Sequence, residues 1–464
     1  MDGRAGAGFH VGVAVVGTIA LGVAQLLGFT EMAAAAAGEK GARSVIVTLC
    51  AGSFLVVTLF SVLRHAVLMS LGYLHALRTS HGREGRRRPR VSVLVPALNE
   101  AGRIEKAIES VLAVDYPDVE TIVIDDGSED DTGERAERAA ARHPGRRVKV
   151  LRKKNGGKWS ALNLGFRHAT GELILCVDAD SQLAPDSLEL LARHFDDPSV
   201  GGCAGQVRVR NAGSLITLLQ GLEYVVMNAL YRRAQSWFAS VVVAPGPIAM
   251  FRRSVLEEVA RRGRGGAAGA PPAEAPRAAA AADGAVDGPW QNDTFAEDAD
   301  LTLQVLLTGK GVVYEAAALA DTAAPTFVYS LLNQRYRWTR GALQAALKAW
   351  RAWIGAPGAS RALPFWVGFL IFDTVAWPAV NLYGLGIFVA VLTVAGTEGQ
   401  LLFWFLALLL IDLNAAAFSV RIEGASPWLI LLSPLNRLYY NLLLDVSKVF
   451  ALSDQLLRRR MTWS

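Results

Sequence analysis

Two aspartates separated by one residue, Asp178 and Asp180, follow the apolar run Leu173 to Val177, which is bounded upstream by Gly171-Glu172. Such a run reads as a buried parallel strand. At the carboxyl end of a strand in an open α/β sheet, side chains face the ligand crevice. Two carboxylates there can hold a divalent cation against an anionic substrate. Helix capping is the competing explanation, because Asp180-Ser181 precedes a helical pattern from Pro185 to Phe195. Other polar groups stand at comparable positions: Asp125-Asp126-Gly127-Ser128 and Lys158 each come shortly after a strand-like segment. Aspartates accept hydrogen bonds from a nucleotide's base and ribose, while a lysine supplies positive charge toward phosphate.

Positioning these groups takes a sheet. Val91 to Pro96 is a β-branched run followed by the turn Ala97-Leu98-Asn99-Glu100 and a helical pattern through Ile104, Ile108 and Val111-Leu112. A second strand, Glu120 to Ile124, leads into the aspartate pair and a helix over Glu134 to Arg142. A third, Val148 to Leu151, leads to Lys153-Lys154-Asn155-Gly156-Gly157-Lys158 and a helix over Ser160 to His168. This alternation predicts a parallel sheet covered on both faces. One crevice would then be lined by Pro96, Glu100, Asp125, Asp126, Lys158, Asp178 and Asp180. Neither a spaced-glycine fingerprint nor a glycine-lysine-serine loop follows the first strand, so a metal rather than a helix terminus would carry a pyrophosphate. Gly201 to Arg210 reads as a further strand and Leu215 to Phe238 as a long helix. The apolar stretch Val241 to Phe251 contains the turn Pro245-Gly246-Pro247, suited to close backbone approach to a ligand.

The chain has 464 residues, 52% of them hydrophobic, and the apolar ones gather at its two ends. His10 to Phe29 and Ser44 to Met69 each approach a bilayer's length. A cleaved signal peptide competes for the first, but the second span and the missing basic start argue against it. The basic cluster within Arg78 to Arg90 should stay cytoplasmic, which puts the middle domain in the cytosol. Toward the other end, Pro364 to Val394 and Leu401 to Val420 are span candidates, and Trp428 to Leu452 is a more polar third. Three spans would place Arg458-Arg459-Arg460 outside, so either that third segment lies along the interface or another is re-entrant. The net charge of +5 is modest and flanks hydrophobic segments, favouring a membrane surface over nucleic acid as partner. Cys50, Cys176 and Cys203 show neither disulfide nor zinc spacing.

Between the ends, residues 261–288 are almost all Ala, Gly, Pro and Arg and read as a disordered insertion. Glu297, Asp298 and Asp300 then open a helix through Leu301 and Leu306. The helix dipole accounts for most of these acids, yet such a start is also where a catalytic base can be presented to an acceptor. Ser330 to Ala346 reads as an amphipathic helix containing Gln334-Arg335-Tyr336-Arg337-Trp338, where Arg and Trp also suit interface anchoring.

Asp125-Asp126-Gly127-Ser128, Asp178-Ala179-Asp180, Glu297-Asp298 and Gln334-Arg335-Tyr336-Arg337-Trp338, in that order between membrane spans, resemble the membrane-embedded processive family 2 glycosyltransferases. The likeness is strongest to bacterial poly-β-N-acetylglucosamine synthases and extends to hyaluronan, chitin-oligosaccharide and cellulose synthases. It implies a GT-A type, Rossmann-like domain over residues 90–350, with membrane regions at 1–78 and 361–464. By this resemblance Asp125 or Asp126 contacts uridine, Lys158 lies near the nucleotide, Asp178 and Asp180 hold the diphosphate, and Asp180 does so through Mg²⁺ or Mn²⁺. Asp298, beside Glu297, would be the general base. Gln334 and Arg337 would grip the pyrophosphate, and Trp338 would stack under the acceptor sugar. Inversion at the anomeric carbon follows, giving a β-linked polymer from a UDP-sugar donor in a bacterial inner membrane. N-acetylglucosamine is the expected donor sugar, with Pro245 to Phe251 facing it; glucose and glucuronate stay open. Partners would be the donor, the growing polysaccharide, the bilayer and an accessory membrane or export subunit. A single-addition transferase acting on a lipid-linked acceptor is the enzymatic alternative, and a non-catalytic membrane scaffold the alternative from another class. Ala296 stands where the family commonly has Thr, which removes a hydroxyl and leaves both carboxylates.

Overall fold

The computed structural model describes residues 2–37, 42–79, 87–263, 287–356, 358–392, 398–457 and 459. Two helices open the chain, α1 (Asp2–Ala37) and α2 (Ala42–Thr79). The central domain then runs β1 (Val91–Ala97), α3 (Ile104–Leu112), β2 (Val119–Asp125), α4 (Thr132–Ala141), β3 (Arg147–Arg152), α5 (Lys158–His168) and β4 (Leu173–Cys176). It continues through β5 (Gln182–Leu183), α6 (Ser187–Ala192), β6 (Val200–Val209), α7 (Leu215–Val226), a π-helical turn (Met227–Arg232), α8 (Arg233–Trp237), β7 (Ala249–Arg252) and α9 (Arg253–Gly263). After residues 264–286, which lie outside the described part, come α10 (Glu297–Leu307), β8 (Gly311–Thr322) and α11 (Val328–Trp353). Of the expected insertion, 261–263 close α9 and 287–288 are described, while 264–286 lie outside the described residues. The chain ends with α12 (Leu363–Ile371), α13 (Trp377–Leu392), α14 (Glu398–Ile422), α15 (Ser433–Leu435) and α16 (Asn441–Leu456).

Eight strands form one sheet in the order β3-β2-β1-β4-β7-β6-β8-β5. The first four are parallel, as the alternation predicts. Beyond β4 the sheet is mixed, because β7 runs antiparallel to both β4 and β6. β6 and β8 are parallel to each other, and β5 pairs antiparallel with β8. The physical reason lies in the connections. The chain leaves β6 through α7, the π-helical turn and α8, and re-enters the sheet after Pro245-Gly246-Pro247 as β7, which fills the place between β4 and β6 in the opposite direction to both.

β1 is buried along its whole length, and its side chains alternate between the two faces of the sheet as the pleat requires. Val91, Val93 and Val95 pack on one face with Ile104 and Ile108 of α3 and Leu188 and Leu191 of α6. Leu94 packs on the other face with Leu162 and Phe166 of α5 and with Leu301 of α10.

Among the described residues, three stretches are long and apolar enough to cross a membrane: Leu55–Thr79 in α2, Leu363–Gly386 through α12 and α13, and Phe405–Ile422 in α14. In α1 the described apolar run, Gly12–Gly28, is shorter than that. The polar third candidate resolves into α15 and α16, and α16 is bonded along α11. Ser447 Oγ donates to the Leu332 carbonyl (3.3 Å), Tyr336 Oη to Asp454 (2.8 Å) and Arg340 Nε to Gln455 (3.2 Å).

Candidate active site

Strand β4 ends at Cys176, and its continuation delivers Asp178 beside the first residue of α5, Lys158. Lys158 Nζ lies 2.7 Å from Asp178 Oδ1 and 3.0 Å from Glu297 Oε1, so one ammonium joins the end of β4 to the start of α10. Burial alone would lower the pKa of Lys158, yet Asp178, Glu297 and Asp298 together hold it well above the ordinary lysine range. Asp298 is pushed up to about 6, first by burial and then by the neighbouring Glu297, with Lys158 opposing. Asp178 is likewise raised by burial, against Lys158. A Cβ on Gly246 would come 2.9 Å from Lys158 Nζ and 3.0 Å from Asp178 Oδ2, so the Pro-Gly-Pro turn lies directly on this ion pair. Behind it sits a cavity of about 10 Å³, lined by Lys158, Glu297 and Asp298 together with Leu162, Phe251 and Trp290. That is room for about one water and not for a sugar ring.

Asp180 takes a different role. Its Oδ1 accepts from Thr322 Oγ1 (3.2 Å) and Ser181 Oγ (3.1 Å), and Arg210 donates to its carbonyl (3.4 Å). Glu100 is raised by burial, held down by Arg103 and raised again by the charge of Asp180, which sets these two carboxylates in one electrostatic neighbourhood. Among the described residues no three His, Cys, Asp or Glu side chains are grouped to hold a metal ion. Asp178 and Asp180 nevertheless offer hard carboxylate oxygens at one strand end. Mg²⁺ is commonly bound by one or two carboxylates plus substrate phosphates, so this donor set fits an ion that arrives with a diphosphate.

The remaining sequence-derived residues divide. Pro96 is buried within β1, paired with Ile124. Asp125 and Asp126 are both buried, and their carboxylates serve the chain's own loops. Asp125 Oδ1 accepts from the Ser128 backbone N–H (2.9 Å). Asp126 Oδ1 accepts from Lys153 Nζ (2.5 Å) and from the Gly156 backbone N–H (3.1 Å). They thereby shape the loop entering α5 and Lys158. On α11, Arg337 and Trp338 are exposed and Gln334 is half-buried. The helix approaches the acids at Gly341, where a Cβ would lie 2.5 Å from the Ala296 nitrogen.

Several residues escaped the sequence reading. The Asn163 side chain donates to the Trp290 carbonyl (2.8 Å) and accepts from its N–H (3.1 Å), clamping the segment before Glu297 onto α5. Thr322 and Gly341 also lack any local signature, because each acts through a partner far away in the chain. Gly246 was visible as part of its turn.

The model of the glycosyl transferase family 2 matches residues 92–260. Poly-beta-1,6-N-acetyl-D-glucosamine synthase of Staphylococcus epidermidis is 27% identical over 259 residues, 56% of this chain and 56% of that protein. The synthase of the same name from Staphylococcus aureus strain MSSA476 matches with the same identity and coverage. The chain thus spans about half the length of the relatives it matches. Among solved structures, mannosyltransferase PcManGT from Pyrobaculum calidifontis, in complex with GDP-Man and Mn²⁺, superposes with TM-score 0.56 and 21% identity, covering 86% of this chain and 100% of that one. The mixed sheet is of the GT-A type, and residues 92–260 within it match the family 2 glycosyl transferase model.

Proposed function

We propose that this protein is an inverting, processive glycosyltransferase that extends a β-linked polysaccharide, poly-N-acetylglucosamine, from UDP-N-acetylglucosamine and passes it across the membrane. The observation that carries the reading is the junction at Lys158, which ties Asp178 to Glu297 and leaves Asp298 beside them with a pKa of about 6. A carboxylate with that pKa takes a proton from an acceptor hydroxyl near neutral pH without remaining permanently protonated. Glu297, held by Lys158, keeps the start of α10 in place. Asp178 and Asp180 would hold a divalent ion, Mg²⁺ or Mn²⁺, which neutralises the diphosphate leaving group when bound. Arg337 would add positive charge where negative charge develops on the departing phosphate oxygen, and Gln334 would hold the same group. Asp125, Asp126 and Glu100 would border the nucleotide, with the first two acting through the loop geometry they fix. Trp338 would offer its ring to the acceptor.

The donor assignment is supported by the two staphylococcal relatives, whose names specify a β-1,6-linked N-acetylglucosamine polymer. Spans on both sides of the domain and the basic segment before β1 support a cytoplasmic catalytic face. The test is to incubate the purified chain with a divalent ion and radiolabelled UDP-N-acetylglucosamine, UDP-glucose or UDP-glucuronate, then size the product. A long polymer from the first donor supports the proposal. A product extended by one sugar removes the polymerase claim, and incorporation from another donor removes the sugar assignment.

A further inference from the structure

Arg335 lies between the two residues to which the site reading gives work, Gln334 and Arg337, and it points elsewhere. Its side chain is only 7% exposed. Nη2 donates to Glu223 Oε2 of α7 at 2.6 Å and to Tyr440 Oη at 3.3 Å, and Tyr440 Oη donates to the same Glu223 oxygen at 2.7 Å. Tyr440 is fully buried and ends a π-helical turn (Asn436–Tyr440) between α15 and α16. Such turns re-aim a side chain relative to a regular helix. Around this triangle Leu219, Leu331 and Leu444 form a separate apolar cluster that excludes water. The guanidinium carbon of Arg335 also lies 4.3 Å from the centroid of the Trp338 ring, one helical turn further on. Trp338 itself is 43% exposed. One face of the ring therefore rests on a cation that is locked from two other elements, while much of its surface stays open.

Resting on the reading of Trp338 as acceptor platform, we propose that Arg335 is a positioning residue for the acceptor. Clamped by Glu223 and Tyr440, it fixes the Trp338 ring, so the C-terminal segment sets how tightly the growing chain is gripped. Three features make this more than packing. A free tryptophan on a helix surface samples several rotamers, and a cation–π contact to a guanidinium that cannot move selects one. The planar fork of Arg matches the carboxylate and lies flat on a ring at once, which a lysine cannot do. Finally, among the described residues neither Glu223 nor Tyr440 is hydrogen-bonded or ion-paired to Asp178, Glu297 or Asp298, so their substitution should leave the donor side untouched.

The experiment uses the full chain in lipid nanodiscs with saturating UDP-N-acetylglucosamine, a divalent ion and a β-1,6-linked N-acetylglucosamine pentasaccharide as acceptor. Rates against acceptor concentration are measured for wild type, Glu223→Gln and Tyr440→Phe, with UDP affinity measured in parallel. Glu223→Gln should raise the KM for the pentasaccharide about tenfold, and Tyr440→Phe should raise it in the same direction by less, with UDP affinity unchanged in both. A purely structural role would instead lower the active fraction, reducing kcat at constant KM; that result, or an unchanged KM in both variants, overturns the proposal. Should Glu223→Gln fail to fold, the volume-conserving Tyr440→Phe decides alone. A wild type that transfers no sugar defeats the functional reading itself, whereas an active wild type with indifferent variants defeats only the role of Arg335.

Discussion

A carboxylate acts as a general base only when ionised, so under the proposal that Asp298 is the base, its pKa, raised to about 6 by burial and by Glu297, would set where activity is lost on acidification. The expected pH profile of kcat falls off below about pH 6, roughly two units above the limb an ordinary aspartate would give. Because the folded protein holds this proton more tightly than the unfolded chain, ionisation costs stability as pH rises from the ordinary aspartate range through about 6. Thermal unfolding at neutral pH should therefore show Asp298→Asn to be more stable than wild type, and a lower unfolding temperature would contradict the assignment of a strained carboxylate. The acids themselves were legible in the sequence, because carboxylates at strand ends and helix starts follow from local pattern. What was not legible is how they are shared. Asp126 spends its charge on Lys153 and Glu297 on Lys158, and such pairings depend on residues distant in the chain.

Among the elements, the contact between α10 and α11 matters most. Gly341 lets α11 touch the segment that leads into Glu297 and Asp298, with no room for even a methyl group beside Ala296. Gly341→Val should force the helices apart, costing about 1–3 kcal/mol of stability and lowering kcat by displacing the base. A variant with wild-type melting temperature and kcat would show that the two helices do not meet as described. Strands β1 to β4 were readable from β-branched runs ending in polar turns. Strand β8 was not, because its alanine-rich sequence carries little β signal and its pairing with β6 is interrupted by register shifts. The direction of β7 was equally hidden, since a strand of four residues, Ala249 to Arg252, carries no orientation of its own.

At the level of the whole molecule, the question is what couples the central domain to the helices that are candidate membrane spans. Arg233 of α8 and Glu423, just past α14, form a buried pair at 2.5 Å, and the Tyr314 hydroxyl on β8 donates to the same carboxylate at 3.4 Å. Removing one partner strands the other charge, so Arg233→Leu should destabilise by about 3–5 kcal/mol, while Arg233→Leu with Glu423→Leu should cost much less. Thermal unfolding of the single and double variants in detergent checks this; equal losses would mean that the pair does not act as a unit. The sequence marked the spans by hydropathy alone. It could not reveal that α16 lies along α11, because that depends on tertiary bonds to Leu332, Tyr336 and Arg340.

The central claim is that acids from β4 and α10 converge on one donor pocket and divide the work between binding and proton removal. The most direct measurement compares wild type, Asp180→Asn and Asp298→Asn for UDP binding in the presence of a divalent ion and for sugar transfer. Asp298→Asn should bind UDP nearly as wild type does and transfer nothing, while Asp180→Asn should lose ion-dependent UDP binding. Continued transfer by Asp298→Asn, or full ion-dependent binding by Asp180→Asn, would contradict the account.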